Sequence, residues 1–234
     1  MLRVLRELIN HKDEYFLYIL FLIIAAILCG FSLNVFLEIT WDLKAGELDN
    51  FDKDATAWIY AYRSESLTPF VIAITEMGSQ WAYLVVIPII AYLLYRKGKS
   101  WRRTLQATLI LISTFFLNLG IKYIISRPRP IEAERLVEVH DGSFSYPSGH
   151  SMSAIAFYGF IIYLTFKYVS NVYLKWALIT LQTLLILGIG TSRVYLGVHF
   201  PSDVVAGFVA GIIWLLICIA ALKTINIYRQ RMRQ

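Results

Sequence analysis

The chain has 234 residues, of which 58% are hydrophobic and only 16% are charged. A soluble domain is closer to half apolar and a quarter charged, so this composition argues against a soluble enzyme and favours a membrane protein. The net charge of +6 would suit either nucleic acid or anionic lipid. The positions of the basic residues at the ends of apolar blocks favour the membrane. The two cysteines, Cys29 and Cys218, lie inside apolar blocks, so neither a disulfide nor a metal cluster is expected.

Six stretches are long and apolar enough to cross a bilayer, which takes about 20 residues as a helix. They are residues 15–37, 69–95, 104–125, 148–167, 174–192 and 202–222. The first is longer than a signal-peptide core and has bulky Leu28 where a cleavage site needs small residues, so it is interpreted as a retained helix. Because backbone groups in lipid must satisfy one another, the chain is predicted to be a single all-α membrane domain over residues 1–234. Gly207 and Gly211, four residues apart, predict a close helix contact.

The Lys and Arg residues of the short loops predict the orientation, since they accumulate on the cytoplasmic side. Fourteen of the 22 lie on the side that carries both termini, and eight lie on the other side. Both termini are therefore predicted to be cytoplasmic. The loops 38–68, 126–147 and 193–201 are predicted to face outward.

The first outer loop is predicted to contain a short amphipathic helix. Tryptophan and tyrosine favour the headgroup zone of a bilayer, and acidic residues alternate with them here. A helix lying in the interface and a packed extracellular cap both suit this pattern. The residues concerned are Asp52, Asp54, Trp58, Ile59 and Tyr62.

Three polar clusters lie at the predicted outer ends of the spans. They are Lys122 with Arg129-Pro130, then Pro147-Ser148-Gly149-His150, then Ser192-Arg193 with His199 and Asp203. Each alone has an ordinary structural explanation, such as a basic anchor or a helix-capping serine. Their convergence on one surface predicts a functional site, because ionisable groups near a membrane core are costly.

The residue types in these clusters suit phosphoryl transfer. That chemistry is mostly positioning and electrostatic stabilisation of three charged equatorial oxygens. Lys122, Arg129 and Arg193 can supply the positive field. The amides of Ser148, Gly149 and His150 are predicted to open the fourth span, where free N–H groups and the helix dipole favour an anion.

Two histidines permit a division of labour in which one attacks phosphorus and the other protonates the leaving alkoxide. Asp203 lies four residues after His199 and can hold one ring nitrogen while the other attacks, so His199 is the predicted nucleophile and His150 the general acid. The clusters lack the carboxylates that a magnesium pair needs, and a site without metal or cofactor is expected. His11 is predicted to be cytoplasmic, and His140, in a polar loop without a basic companion set, is interpreted as a surface residue.

At these residues the chain resembles the type 2 phosphatidic acid phosphatase superfamily. The first motif of that family is Lys followed, after six residues, by Arg-Pro. The second motif is Pro-Ser-Gly-His. The third motif is Ser-Arg followed by His after five residues and then by Asp after three more. All three motifs occur without departure between Lys122 and Asp203. Size and layout are similar to the bacterial phosphatidylglycerophosphate phosphatase B and undecaprenyl diphosphate phosphatase branches.

The resemblance implies metal-independent hydrolysis through a phosphohistidine at His199, with Asp203 orienting it and His150 as the acid. It also implies that Lys122, Arg129, Ser148, Gly149 and Arg193 bind phosphate. The predicted protein is a multi-pass lipid phosphatase of a bacterial plasma membrane, with its active site extracytoplasmic. Its substrate is expected to be phosphatidylglycerol phosphate, undecaprenyl diphosphate or phosphatidic acid, and neither nucleic acid nor an obligate protein partner is indicated.

Two other classes of function use the same residues. An anion or lipid transporter, or a lipid-binding protein, would use the basic cluster without hydrolysis, although transport sites are expected near mid-membrane. A metal hydrolase would use His150, His199 and Asp203 as ligands, although the adjacent Lys and Arg would repel a cation.

Overall fold

The computed structural model describes residues 12–96, 101–138 and 143–232, and within these ranges it contains helices and no β-strand. The predictions of a cytoplasmic His11 and a surface His140 fall outside the described residues. The helices are α1 (Lys12–Ala45), α2 (Asp49–Tyr60), α3 (Thr68–Glu76), α4 (Gln80–Arg96), α5 (Arg102–Ile125), α6 (Gly149–Tyr168), α7 (Val172–Tyr195) and α8 (Pro201–Arg231), with a short 3₁₀ turn at Glu132–Glu134.

The long helices define a multi-pass membrane protein. Five of them, α1, α5, α6, α7 and α8, are long and apolar enough to cross a bilayer, and the bent pair of α3 and α4 is long and apolar enough when its two helices are taken together. Large apolar side chains cover the outside of the bundle, among them Ile27 and Phe31 on α1. The prediction of an all-α protein with six spans is confirmed.

The second span differs from the prediction of one continuous helix over residues 69–95. It breaks after Glu76, and α3 and α4 meet at an angle of 58°. A side chain at Gly78 would come within 2.7 Å of Ile189 and 3.2 Å of His150, so only glycine allows this close approach. The Tyr158 hydroxyl donates to the carbonyl oxygen of Met77 over 2.6 Å, which satisfies a backbone group that the break exposes.

The predicted spans are also shorter than the helices. The first helix continues past residue 37 to Ala45, where Gly46 adopts a positive φ of 77°. The helix α7 continues to Tyr195, shortly before Gly197 with a φ of 76°. Hydropathy marks only the part of a helix that lies in lipid, whereas a helix ends where a residue such as glycine permits the left-handed conformation. The loop predicted over 193–201 therefore begins later, and α8 likewise extends beyond residue 222.

The predicted helix in the first outer loop is present as α2. Its aromatic side chains are exposed, with Trp58 at 65% of its accessible surface. Asp52 on the opposite side is only 3% exposed. The helix therefore packs on the protein with one side and leaves aromatic residues outward on the other.

The helix α6 lies at the centre of the bundle, in contact with α5, α7 and α8. Ala156, Phe157 and Phe160 on this helix are fully buried. The predicted close contact of the glycine pair is confirmed. A side chain at Gly207 of α8 would lie 2.6 Å from the carbonyl oxygen of Ser148, and one at Gly211 would lie 2.9 Å from that of Met152.

Candidate active site

The three polar clusters meet at one end of the bundle because the chain alternates direction. The helices α5 and α7 end there, and α6 and α8 begin there. Lys122 and Arg193 lie in the last turns of α5 and α7, while Asp203 lies in the first turn of α8. His150 lies within electrostatic range of Arg193 and His199. All eight predicted site residues thus come together around the start of α6.

The buried pair at the centre of the site is His199 and Asp203. The histidine Nδ1 lies 3.4 Å from Asp203 Oδ2, at the long end for a hydrogen bond, and the Phe200 amide donates to that same oxygen over 2.9 Å. On the other side of the ring, His199 Nε2 lies 3.3 Å from Nη1 of Arg129. One ring nitrogen therefore faces the carboxylate and the other faces the basic groups.

The His199 imidazole is held in its neutral form. Burial comes first among the causes, and the positive charges of Arg129, Lys122 and Arg193 add to it, so that the pKa of His199 lies well below its ordinary value of 6.5. A neutral ring at physiological pH has a nitrogen lone pair available for attack.

The Arg129 guanidinium is fixed between two loops. Its Nε donates to the Ser143 hydroxyl over 2.8 Å, and Nη1 donates to the Val198 carbonyl over 2.9 Å. Lys122 is fixed to the same segment, with Nζ donating to the carbonyl oxygens of Phe144 and Ser145. Both cations are consequently positioned by backbone oxygens instead of by acidic partners.

The Arg193 side chain is the most buried of the three basic groups, at 7% exposure. Its Nη1 donates to the Thr75 hydroxyl over 2.8 Å, whereas its buried Nε has no hydrogen-bond partner. A buried donor without a partner is costly in a folded protein. The unused N–H is therefore a natural position for an anionic ligand.

The start of α6 differs in one respect from the sequence prediction. The Ser148 amide donates to the main-chain oxygen of Asp203 over 2.9 Å, so it is not free for an anion. The Ser148 side chain caps the helix, accepting from the amide of Ser151 at 3.4 Å and from its hydroxyl at 2.9 Å. Ser148 can reach a ligand through its own hydroxyl proton but not through its amide.

Gly149 follows in the first turn of α6. A side chain there would lie 3.0 Å from Oδ1 of Asn118 on α5. The Asn118 side-chain amide in turn donates to the Pro147 carbonyl over 3.2 Å. The glycine thus permits a close contact between α5 and the segment that carries the second motif.

Sequence reasoning missed several residues that hold the site together. Thr75 lies in the predicted second span, and Asp52 lies in the helix predicted for the first outer loop. Arg127 lies in the predicted outer loop 126–147 and received no site role, although it repeats the Arg-Pro pattern of Arg129-Pro130 two residues earlier. That repetition was the one available signal; Asn118 and Thr75 are single polar residues in apolar segments.

Possible metal-ligating side chains do not cluster in the described part of the chain. No group of three or more His, Cys, Asp or Glu side chains there is arranged to hold a metal ion. His150, His199 and Asp203 are not arranged as such a group.

A bundle of membrane helices with a cationic, histidine-containing site at one end has the features expected of a membrane phosphohydrolase. Residues 103–227, more than half of the chain, match the PAP2 superfamily. The chain belongs to this superfamily, and its relatives place it among the family's membrane lipid phosphatases.

Two curated relatives illustrate the similarity. Phosphatidylglycerophosphatase B of Bacillus subtilis is 34% identical over 171 residues, covering 72% of this chain and 82% of the relative. The undecaprenyl-diphosphatase of Sulfolobus acidocaldarius is 27% identical over 181 residues, covering 74% of this chain and 75% of the relative.

A solved structure shares the fold. The transmembrane PAP2-type phosphatidylglycerolphosphate phosphatase from Bacillus subtilis matches with a TM-score of 0.76 and 28% identity, over 84% of this chain and 96% of that one.

Proposed function

We propose that the protein hydrolyses a lipid phosphate monoester or diphosphate through a phosphohistidine on His199. The site is extracytoplasmic, and the substrate is phosphatidylglycerol phosphate, undecaprenyl diphosphate or phosphatidic acid. The names of the relatives favour the first two. The observation that carries the proposal is the buried, unpartnered Arg193 Nε in a site where cations outnumber carboxylates.

The charge balance of the site favours a phosphate dianion. Lys122, Arg129 and Arg193 are buried or half-buried, and Asp203 is the buried carboxylate that opposes them. The surplus of positive charge is stabilised when an anion of about two charges binds, as a phosphate monoester does near pH 7. Arginine adds a planar fork that fits two phosphate oxygens.

In the first half of the reaction, His199 Nε2 attacks phosphorus and the bond from phosphorus to the leaving oxygen breaks. His150 gives its proton to that oxygen, so a lipid monoester leaves as an alcohol and a lipid diphosphate leaves as the lipid monophosphate. Asp203 holds the Nδ1 side of His199 and stabilises the positive charge that the ring gains on phosphorylation.

In the second half, His150 takes a proton from water, and the resulting hydroxide attacks the phosphohistidine. The bond between phosphorus and nitrogen breaks, and inorganic phosphate leaves with His199 restored. The three basic residues stabilise the equatorial oxygens in both halves.

The substrate is expected to enter sideways from the lipid. The site lies at the rim of the bundle, at the ends of helices that expose apolar side chains such as Phe115 and Leu119 of α5. An acyl or isoprenoid tail can remain in the bilayer while the headgroup enters the site. The excess of basic residues in the opposite loops supports an outer position for this rim.

The deciding experiment measures phosphate release by the purified protein. The substrates are phosphatidylglycerol phosphate, undecaprenyl diphosphate and phosphatidic acid, each in mixed micelles with and without EDTA. We expect release to be insensitive to EDTA, because basic side chains occupy the electrostatic role of a metal. Activity that disappears with EDTA and returns with zinc or magnesium would contradict the metal-free mechanism.

The two histidines can be separated by the leaving group. General acid catalysis is typically worth about 10²–10⁴-fold for a poor leaving group, and little for nitrophenolate. His150→Ala should lose most of its activity on phosphatidic acid and keep a measurable fraction on nitrophenyl phosphate. His199→Ala should lose both activities and yield no acid-labile phosphoenzyme.

The opposite trapping result would reverse the roles. A phosphoenzyme that persists in His199→Ala and is absent from His150→Ala would make His150 the nucleophile. Thermal unfolding of each variant provides the control for correct folding.

A further inference from the structure

A second buried carboxylate lies behind the site, outside all three sequence motifs. Asp52 on α2 accepts three hydrogen bonds from two residues, and one of them is also an ion pair. Oδ1 accepts from the Ser202 amide over 2.8 Å. Oδ2 accepts from the Ser202 hydroxyl over 2.6 Å and forms an ion pair with Nη2 of Arg127 over 2.7 Å. These contacts join residues that are about 75 and 150 positions away from Asp52 in the chain.

Arg127 connects this carboxylate to the proposed nucleophile. Its Nη1 lies 2.6 Å from Asp203 Oδ1 and donates to the Ser202 hydroxyl over 2.8 Å. The guanidinium also lies over the Phe200 ring, 4.1 Å from its centre. Asp203 Oδ2 faces His199 Nδ1 on the other side. The contacts therefore run without interruption from Asp52 through Arg127 and Asp203 to His199.

The electrostatics of this chain of contacts make Arg127 necessary for both carboxylates. Burial disfavours the charged guanidinium, but Asp203 and Asp52 outweigh that effect and raise the pKa of Arg127 above its ordinary value. A buried carboxylate that loses its partner is strongly destabilised. One arginine fork thus neutralises and orients two carboxylates, which a lysine could not do with a single nitrogen.

We propose that Asp52 and Arg127 are positioning residues that set the orientation of Asp203, and through it the ring of His199. The inference rests on the proposed role of His199 as nucleophile. It gives the outer-loop helix α2 a part in catalysis, because its only buried carboxylate braces the Arg127 fork. In this proposal both residues act through Asp203.

The sharpest variant is Asp52→Asn, which keeps the shape of the side chain. Both oxygens of Asp52 accept from N–H or O–H donors, so either orientation of the new amide turns an NH₂ group toward another donor. We expect kcat to fall about 10- to 100-fold, since small displacements of reacting groups have effects of this size. KM should change less than about threefold, because the phosphate-binding residues are untouched. Asp54→Asn on the exposed side of the same helix is the matched control and should match the wild type.

A double-mutant cycle distinguishes positioning from a general loss of stability. If Asp52 acts through Asp203, adding Asp52→Asn to Asp203→Asn should lower kcat less than about threefold further. A purely structural effect would multiply the two losses. Ser202→Ala removes only a hydroxyl from the network, and it should lower kcat about threefold to tenfold with normal folding even if Asp52→Asn is unstable.

The wild type measured in parallel separates this inference from the proposed function. If the wild type hydrolyses lipid phosphate and forms a phosphoenzyme while Asp52→Asn and Ser202→Ala equal it in kcat, the positioning role is overturned and the function stands. Multiplicative losses in the cycle overturn it as well. If the wild type forms no phosphoenzyme on His199, the proposed mechanism fails first. The inference is supported if Asp52→Asn lowers kcat with little change in KM and if the effects of Asp52→Asn and Asp203→Asn on kcat do not multiply in the double mutant.

Discussion

The contact between α6 and α8 provides a direct test of how the active site is assembled. The Cβ atom of alanine at Gly207 would lie 2.6 Å from the Ser148 carbonyl oxygen and 2.9 Å from the Ser151 Cβ. Both neighbours belong to the start of α6, where the second motif lies. Ordinary van der Waals contact begins at 3.4 Å, so α6 and α8 must separate by about 0.8 Å to accept the new methyl group.

This displacement acts on the catalytic geometry. The start of α6 carries His150, and α8 carries Asp203 on the other side of the contact. A misplacement of about 1 Å can reduce turnover about 10²-fold, so Gly207→Ala should lower kcat about 10- to 100-fold. Overpacking of this kind also destabilises a protein by about 1–3 kcal/mol.

The assay is phosphate release from micellar substrate, with thermal unfolding measured on the same samples. Gly30→Ala is the matched control, because a Cβ atom there would meet nothing within 4 Å. It should be as active and as stable as the wild type. If Gly207→Ala also retains wild-type kcat and unfolding temperature, the close contact does not set the active-site geometry and the reasoning is refuted.

Three further outcomes are expected. Because burial and neighbouring positive charge lower the pKa of His199, the ring should stay neutral as the pH falls through 6.5. In a pH titration followed by NMR of ¹³C-labelled histidine, the His199 signal should therefore show no midpoint at that pH. A midpoint at or above 6.5 would contradict this expectation. Thr75→Val removes the acceptor for Arg193 Nη1 and should raise KM about tenfold, whereas Thr75→Ser keeps the hydroxyl and should retain the KM of the wild type. Equal KM values in the wild type and both variants would show that this hydrogen bond has no part in binding. Single cysteines can be introduced at Ser66 or Ser170 in a protein without the native cysteines. In intact cells, an impermeant thiol reagent should label the cysteine at position 66 and not the one at position 170. The reverse pattern would show that the predicted topology is inverted.

The fold was largely predictable because membrane helices are encoded locally. Each span needs about 20 apolar residues, and its backbone must bond within itself. The exception was the second span, which was predicted as one continuous helix over residues 69–95 although it contains Gly78. The break there depends on Ile189, His150 and Tyr158, which belong to distant helices. Local pattern cannot show such contacts.

The ends of the helices were predictable only in part. An apolar stretch shows where the lipid begins, but α1 continues into the aqueous phase until Gly46. The cap at Ser148 was recognisable from its residue type, since serine is a favoured N-cap. The hydrogen bond from the Ser148 amide to the Asp203 carbonyl could not be predicted, because the two residues belong to different helices.

The amino-acid sequence was sufficient to predict which residues could carry phosphate chemistry and that they lie at one end of the bundle. An alternating series of membrane helices brings loops of the same side together, so motifs at consecutive outer ends must be neighbours. How those residues are held depends on contacts between distant parts of the chain. Arg193 is bonded to Thr75, and Asp203 is joined through Arg127 to Asp52. Thr75 and Asp52 lie outside the motifs, and their contacts become necessary because folding removes water from the charged groups that they bond.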